Sequence, residues 1–317
     1  MLKAHRIGIY AALGSAVFLG LSPVFGKLAI NFGFSPLAVV ALRTSMAAGL
    51  ILIVVLLFYR PFFYIFPVGL AGCMLAGAIN GFGSILYYLA LDHLSASVGQ
   101  MLYSLYPLFV AIWLILDRQP PSFLTMFRIV LAAMAVLLLT SLPSHQADPV
   151  GVWMMLGAAA LYALHLPINQ RVLYEVPAPT VTLYTLLAMS AVVVPAYLLF
   201  DRQWPTSNLN WLPVFGLTLV TSLSRLTLFF GIKRIGGMQT ALLGLGELLI
   251  TILFSYIWLH EKLLWSQWLG AAGLGISLLL VRFENPHRSV LAASKTGWLA
   301  WIRPPDLPQE LPLGPHE

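Results

Sequence analysis

The sequence predicts an all-α membrane protein of ten transmembrane helices, arranged as two inverted five-helix repeats. Of its 317 residues 60% are hydrophobic and only 9% are charged, with a mean hydropathy of +0.89, whereas a soluble domain is about 25% charged. The apolar residues fall into runs of roughly 20, the length that crosses about 30 Å of hydrocarbon. The second half of the chain also repeats the first, faintly but throughout.

The runs are 7–31, 36–58, 64–91, 95–117, 120–141, 149–173, 179–200, 210–233, 237–260 and 263–282, each bounded by Pro, Gly or charge. The N-terminal Met-Leu-Lys-Ala-His-Arg before an apolar run has the outline of a secretory signal. The run continues to Ile30 without a small-residue cleavage site, so it is read as the first transmembrane helix. An even number of spans puts both termini on one side. With the termini inside, the cytoplasmic segments hold Lys3, Arg6, Arg60, Arg118, Arg171, Lys233, Arg234, Arg282, Arg288, Lys295 and Arg303, and the outer loops hold only Arg202 and Lys262. That asymmetry sets orientation, so the net charge of +6 reports topology and no nucleic-acid partner is expected. The single cysteine, Cys73, lies in an apolar run and offers no disulfide framework. Past residue 283, Ser289 to Ile302 has the pattern of a short amphipathic helix with Trp298 and Trp301 at the lipid interface, and the segment after Pro304 is Pro-rich and expected to be disordered.

The repeat is seen by shifting the chain on itself. Gly8-Ile-Tyr-Ala-Ala-Leu-Gly aligns with Gly151-Val-Trp-Met-Met-Leu-Gly at an offset of 143, which carries Pro36 onto Pro179. Further on, Tyr88-Leu-Ala-Leu-Asp-His aligns with Phe229-Phe-Gly-Ile-Lys-Arg at an offset of 141. Because each unit has an odd number of spans, the second enters the membrane upside down. The expected units are 1–144, 145–283 and a cytoplasmic tail, 284–317. Pro23 and Pro167 fall at near-equivalent places, which reads as paired helix interruptions or as fixed kinks.

Polar residues inside the spans gather on helical faces: Asn80, Ser84, Tyr87 and Tyr88 in span 3; Gln100, Tyr103, Ser104 and Pro107 in span 4; Tyr162, His165 and Asn169 in span 6; Thr218, Ser222 and Arg225 in span 8; Thr240, Gly244, Glu247 and Thr251 in span 9. Polar groups facing lipid are costly, so these faces are expected to look inward across a wet interior. The hydroxyl positions read equally well as hydrogen-bonding glue. Glu247 stands out, because a carboxylate at membrane depth costs at least about 2–3 kcal/mol unless it meets a partner or water. Arg225 and Glu247 each lie roughly 15–17 Å from the inner turn between spans 8 and 9, and an ion pair between them is the expectation. The candidate pathway residues are Glu247, Arg225, His165, Tyr103, Tyr162, Asn80, Ser84, Tyr87, Ser222, Thr240, Gly244 and Asn169, with Tyr184 as a further ring near the interior. Arg43 and Arg128 lie about eight residues from the nearest span ends, within snorkelling reach of headgroups, and are not assigned to the site.

No Walker A sequence, zinc-binding His-Glu-x-x-His or Gly-x-Ser-x-Gly elbow is present, so no cofactor, no metal and no enzymatic activity are expected. With Arg43-Thr44 in span 2, Tyr87-Tyr88-Leu-Ala-Leu before a turn, Tyr106-Pro107-Leu-Phe-Val-Ala in span 4 and Leu259-His-Glu-Lys-Leu after span 9, residues 7–282 resemble the EamA-like branch of the drug/metabolite transporter superfamily. The family often carries an acid before a proline in spans 4 and 9 and a Glu in the following loop. Here Glu247 and Glu261 match, Leu248 replaces the second proline, Tyr106 stands for the first acid, and Pro120 for the first loop Glu.

The resemblance implies a multi-pass protein of the bacterial inner membrane that exports a small metabolite, such as an amino acid, by alternating access. Its partners would be a small-molecule substrate and the lipid bilayer, with proton coupling and a monomeric or dimeric state both left open. The alternatives are export of a cationic or aromatic drug-like compound, through Glu247 and the tyrosines, and an intramembrane enzyme acting on a lipid-linked substrate.

Overall fold

Proline and glycine punctuate the chain into helices. The computed structural model describes residues 2–94, 96–117, 121–139, 148–201, 210–250, 265–283, 298–299 and 301–302. The helices are α1 (Leu2–Asn31), α2 (Pro36–Phe58), α3 (Pro67–His93), α4 (Ala96–Tyr103), α5 (Tyr106–Leu116), α6 (Phe123–Leu139), α7 (Pro149–Leu173), α8 (Ala178–Phe200), α9 (Leu212–Ile235) and α10 (Gly237–Gly244). They are followed by α11, described over 246–250, and α12 (Trp265–Leu279). Among the described residues there is no strand. Residues 251–264, with Thr251 and Glu261, as well as Pro120, Arg118 and the tail after Ile302, lie outside the described residues.

Helix starts follow local chemistry. Ser35 accepts the Ala38 N–H at 3.1 Å ahead of Pro36, and Asp148 accepts the Val150 N–H at 3.0 Å ahead of Pro149. Each cap satisfies an orphan donor, and the proline at the first turn lacks the N–H that would otherwise go unpaired. Between α9 and α10 the chain turns at Gly236, whose φ of 82° lies in the left-handed region that favours glycine.

Six helices, α1, α2, α3, α7, α8 and α9, are long and apolar enough to cross a membrane. The other four expected spans are represented by shorter apolar helices, so ten continuous membrane-length helices are not found among the described residues. One cause is visible in span 4. The Pro107 ring cannot coexist with a helical carbonyl four residues earlier, and that residue, Tyr103, is where α4 ends. The chain restarts as α5 at Tyr106. Span 9 breaks in the same register: α4 ends at Tyr103 and α10 at Gly244, the offset of 141 already seen in the sequence. No proline stands there. Gly244 and Gly246 flank the break at Leu245 and weaken the helix instead. The prolines marked as paired interruptions behave differently, since α1 continues through Pro23 and α7 through Pro167.

Packing is reciprocal. α1 lies along α9 and α3 along α7, while α2 meets both α8 and α9, and α6 pairs with α12. Small residues permit the close approaches. A Cβ on Gly77 would meet the Ala188 Cβ at 2.6 Å, and one on Gly83 would meet the Leu161 Cβ at 3.1 Å, so two different faces of α3 are held by α8 and α7. Gly20 of α1 abuts the backbone of Glu247, fixing where that acid enters the interior.

Two buried polar ties join elements far apart in sequence. Arg171 Nη2 donates to Asp117 Oδ2 at 2.8 Å, with both side chains almost fully buried, and Asp117 Oδ1 accepts the Leu299 N–H at 3.2 Å. Leu299 and Ile302 pack into the core while Trp298 and Trp301 remain exposed, so this piece of the tail sits on the helices by its aliphatic side. Arg128 is completely buried rather than snorkelling: its Nε donates to the Ser277 carbonyl at 2.9 Å and its Nη1 to Gln239. It thereby ties α6 to α12 and α10.

Candidate functional site

Arg225 of α9 is buried and reaches across to α7 and α3. Its Nη1 lies 3.2 Å from His165 Nε2, and its guanidinium stands 5.7 Å from the centre of the Tyr162 ring. Asn80, with its amide turned to satisfy both ends, accepts from Nη2 at 2.7 Å and from Nη1 at 3.1 Å. His165 Nδ1 bonds to the Tyr162 carbonyl, which only accepts, so the proton sits on Nδ1 and Nε2 offers its lone pair to Arg225. The imidazole is thus held neutral between a carbonyl and a cation.

Glu247 is buried as well, just beyond the break that opens α11. Its carboxyl hydrogen-bonds with the Gln100 side chain. Gln100 in turn accepts from the Tyr87 hydroxyl at 3.1 Å. The expected ion pair between Glu247 and Arg225 is not formed: the ion pairs among the described residues are elsewhere, at His93 with Asp148 and at Arg171 with Asp117. Depth alone matched the two groups. Their directions around the helix axes differ, Arg225 facing α7 and α3, and Glu247 facing α4.

Between the two lies a wall of aromatic rings. Tyr103 packs against Tyr87, Tyr162 and Tyr106 with centroids 4.9, 5.3 and 5.8 Å away, and Tyr106 meets Tyr162 at 5.0 Å. Tyr106 also donates its hydroxyl to the Ala241 carbonyl at 2.8 Å, beside Gly244, so the two broken helices touch through the residue whose repeat-mate is Glu247.

Arg43 joins the interior, contrary to the snorkelling expectation. It is 7% exposed, donates to Thr221 Oγ1 at 3.2 Å and Ser84 Oγ at 3.4 Å, and sits 4.9 Å from the centre of the Tyr88 ring. The signal was available: a guanidinium inside an apolar run faces the bundle interior far more often than lipid. Gln100 lies on the polar face of span 4 without being one of the expected pathway residues, and Tyr106 occupies the acid's place in the repeat.

Of the candidates, Arg225, His165, Asn80, Tyr162, Tyr103, Tyr87, Ser84 and Glu247 come together. Ser222 and Thr240 spend their hydroxyls on carbonyls one turn back, Thr218 and Gly236, and Asn169 Nδ2 donates to the His165 carbonyl. These are bonds within one helix. Gly244 serves as the close-approach point for Tyr106. Tyr184 lies elsewhere, donating to the Phe63 carbonyl at 2.7 Å. Among the described residues no group of His, Cys, Asp and Glu is disposed to hold a metal.

Long apolar helices around a buried ring of charge and tyrosine define a multi-pass membrane protein with a polar interior. The chain belongs to the EamA-like transporter family, whose profile matches residues 6–141 and again 149–283. It is 27% identical over 288 residues to a Bacillus subtilis (strain 168) protein named "Uncharacterized transporter YcbK", a match covering 84% of this chain and 89% of that one. A solved crystal structure, titled only as that of a protein, superposes with a TM-score of 0.69 at 17% identity, covering 90% of this chain and all of the other, and so shares the fold.

Proposed function

We propose that this protein is a secondary transporter of a bacterial inner membrane that exports a small metabolite resembling an amino acid. In this reading it works by alternating access between two inverted repeats, with both termini cytoplasmic. The observation that carries the reading is the placing of Arg225, held by His165 and Asn80, and of Glu247, hydrogen-bonded with Gln100, around one tyrosine cluster. The guanidinium suits a carboxylate, the carboxyl suits an ammonium, and the rings suit an organic body. The equal register of the breaks in α4/α5 and α10/α11, 141 residues apart, supports a repeat whose halves rearrange about a shared centre. The drug-like cation reading draws on Glu247 and the tyrosines, but two buried guanidinium groups in the same interior repel a cation.

The test compares metabolites in the medium of cells with and without the protein, then follows the leading hit out of proteoliposomes. Efflux of unmodified solute, absent from protein-free vesicles, is the expected result. A chemically altered product would support the intramembrane enzyme instead, and unchanged media with no flux would overturn transport.

A further inference from the structure

We infer that Arg43 and Arg225 together form a binding site for a small organic anion bearing two carboxylates, an acidic amino acid being the simplest fit. This deepens the reading above and rests on it for movement of the solute, though not for binding.

Both arginines are 7% exposed, and the partners of their guanidinium groups among the described residues are neutral. Arg43 reaches two hydroxyls, Thr221 and Ser84, and the Tyr88 ring, while its Nε–H has no acceptor. Arg225 reaches an imidazole nitrogen, an amide oxygen and the Tyr162 ring. Neither is met by a carboxylate among the described residues. A buried guanidinium with neutral partners and an idle donor is costly to keep unless a mobile anion completes it.

The charge inventory agrees. His165 is a neutral acceptor, and Glu247 hydrogen-bonds with Gln100, so the two arginines outnumber that acid whichever protonation state it holds. The two groups also share a wall. Ser84 and Asn80, which contact Arg43 and Arg225, are one turn apart on α3, a rise of about 6 Å. Tyr88, Tyr87, Tyr103 and Tyr162 run in contact from one guanidinium to the other. One short molecule with a carboxylate at each end bridges such a pair. A neutral amino acid answers one arginine and leaves the other idle.

The test uses the full-length protein in two formats. In detergent, thermal unfolding is followed with L-glutamate, succinate, L-leucine and choline. In proteoliposomes, efflux of the same four probes is measured. L-glutamate or succinate should stabilise the parent, and Arg43→Gln should weaken that binding at least tenfold while its ligand-free unfolding temperature stays near the parent's. Arg43→Lys, which keeps the charge but loses the fork, should retain part of the binding. If Arg43→Gln fails to fold, the Arg43→Lys titration carries the comparison. Absence of stabilisation by either dicarboxylate overturns the anion site, and so does equal binding by the parent and both variants. Dicarboxylate binding without flux of any probe supports the site and overturns transport. Flux of leucine or choline with no dicarboxylate binding leaves transport standing and removes this site.

Discussion

Replacing Asp117 with Asn isolates the ion pair that joins α5 to α7. Asp117 and Arg171 have side chains 1% and 4% exposed, so solvent screening does little to discount their interaction. The substitution keeps the shape, removes the charge that faces the Arg171 cation, and exchanges one of the two acceptor oxygens used by Arg171 and Leu299 for a donor. Removing one partner of a buried pair costs about 3–5 kcal/mol. At about 1.4 kcal/mol per decade, that lowers the folding equilibrium by two to more than three orders of magnitude. The assay is reversible unfolding of the purified protein in mixed micelles, with limited proteolysis of the 284–317 segment in parallel. Asp117→Asn should unfold correspondingly earlier, and the tail should be cut faster. The double variant Asp117→Asn, Arg171→Gln should be less unstable than the two singles summed, by about 0.5–3 kcal/mol. A single variant within about 0.5 kcal/mol of the parent, or strict additivity of the pair, would refute the reasoning.

Two further outcomes follow from the packing. Gly77→Ala places a methyl 2.6 Å from Ala188 and 2.5 Å from the Thr185 carbonyl, forcing α3 from α8 at about 1–3 kcal/mol, whereas Gly49→Ala meets nothing within 4 Å and should be neutral or mildly stabilising; equal unfolding curves for the two would contradict the close approach. Arg225→Gln and Glu247→Gln should add in stability within about 0.5 kcal/mol, while Arg225→Gln and Asn80→Ala should couple by more than that. The reverse ordering would mean that Arg225 pairs with the acid after all.

Much of the site was readable in one dimension. Polar residues at helical spacing in apolar runs marked the inward faces of α3, α4, α7 and α9, because lipid leaves such groups nowhere else to turn. The separate meanings of those residues were not readable. Ser222 and Thr240 share faces with Arg225 and Glu247, yet bond within their own helices, since a short hydroxyl reaches the carbonyl one turn back before it reaches a neighbour. The distance of Arg43 from a helix end says how far its side chain can reach and not which way it points.

What the sequence determined by itself was whatever depends on composition and spacing along the chain. Apolar runs of spanning length dictate helices in a membrane, since unpaired backbone groups are intolerable in hydrocarbon, and an offset of 141 between halves reappears residue for residue in the bounds of α4 and α10. Tertiary structure decided everything that depends on azimuth and on contact across the bundle. It turned Arg225 to His165 and Asn80 instead of Glu247, brought Gln100 between Tyr87 and the acid, drew Arg43 and Arg128 inside, and seated Leu299 on Asp117. The reason is geometric: depth follows from counting residues along a helix, whereas the direction of a side chain depends on how each helix is rotated and where it breaks, and those are set by which small residues on distant helices allow the closest approach.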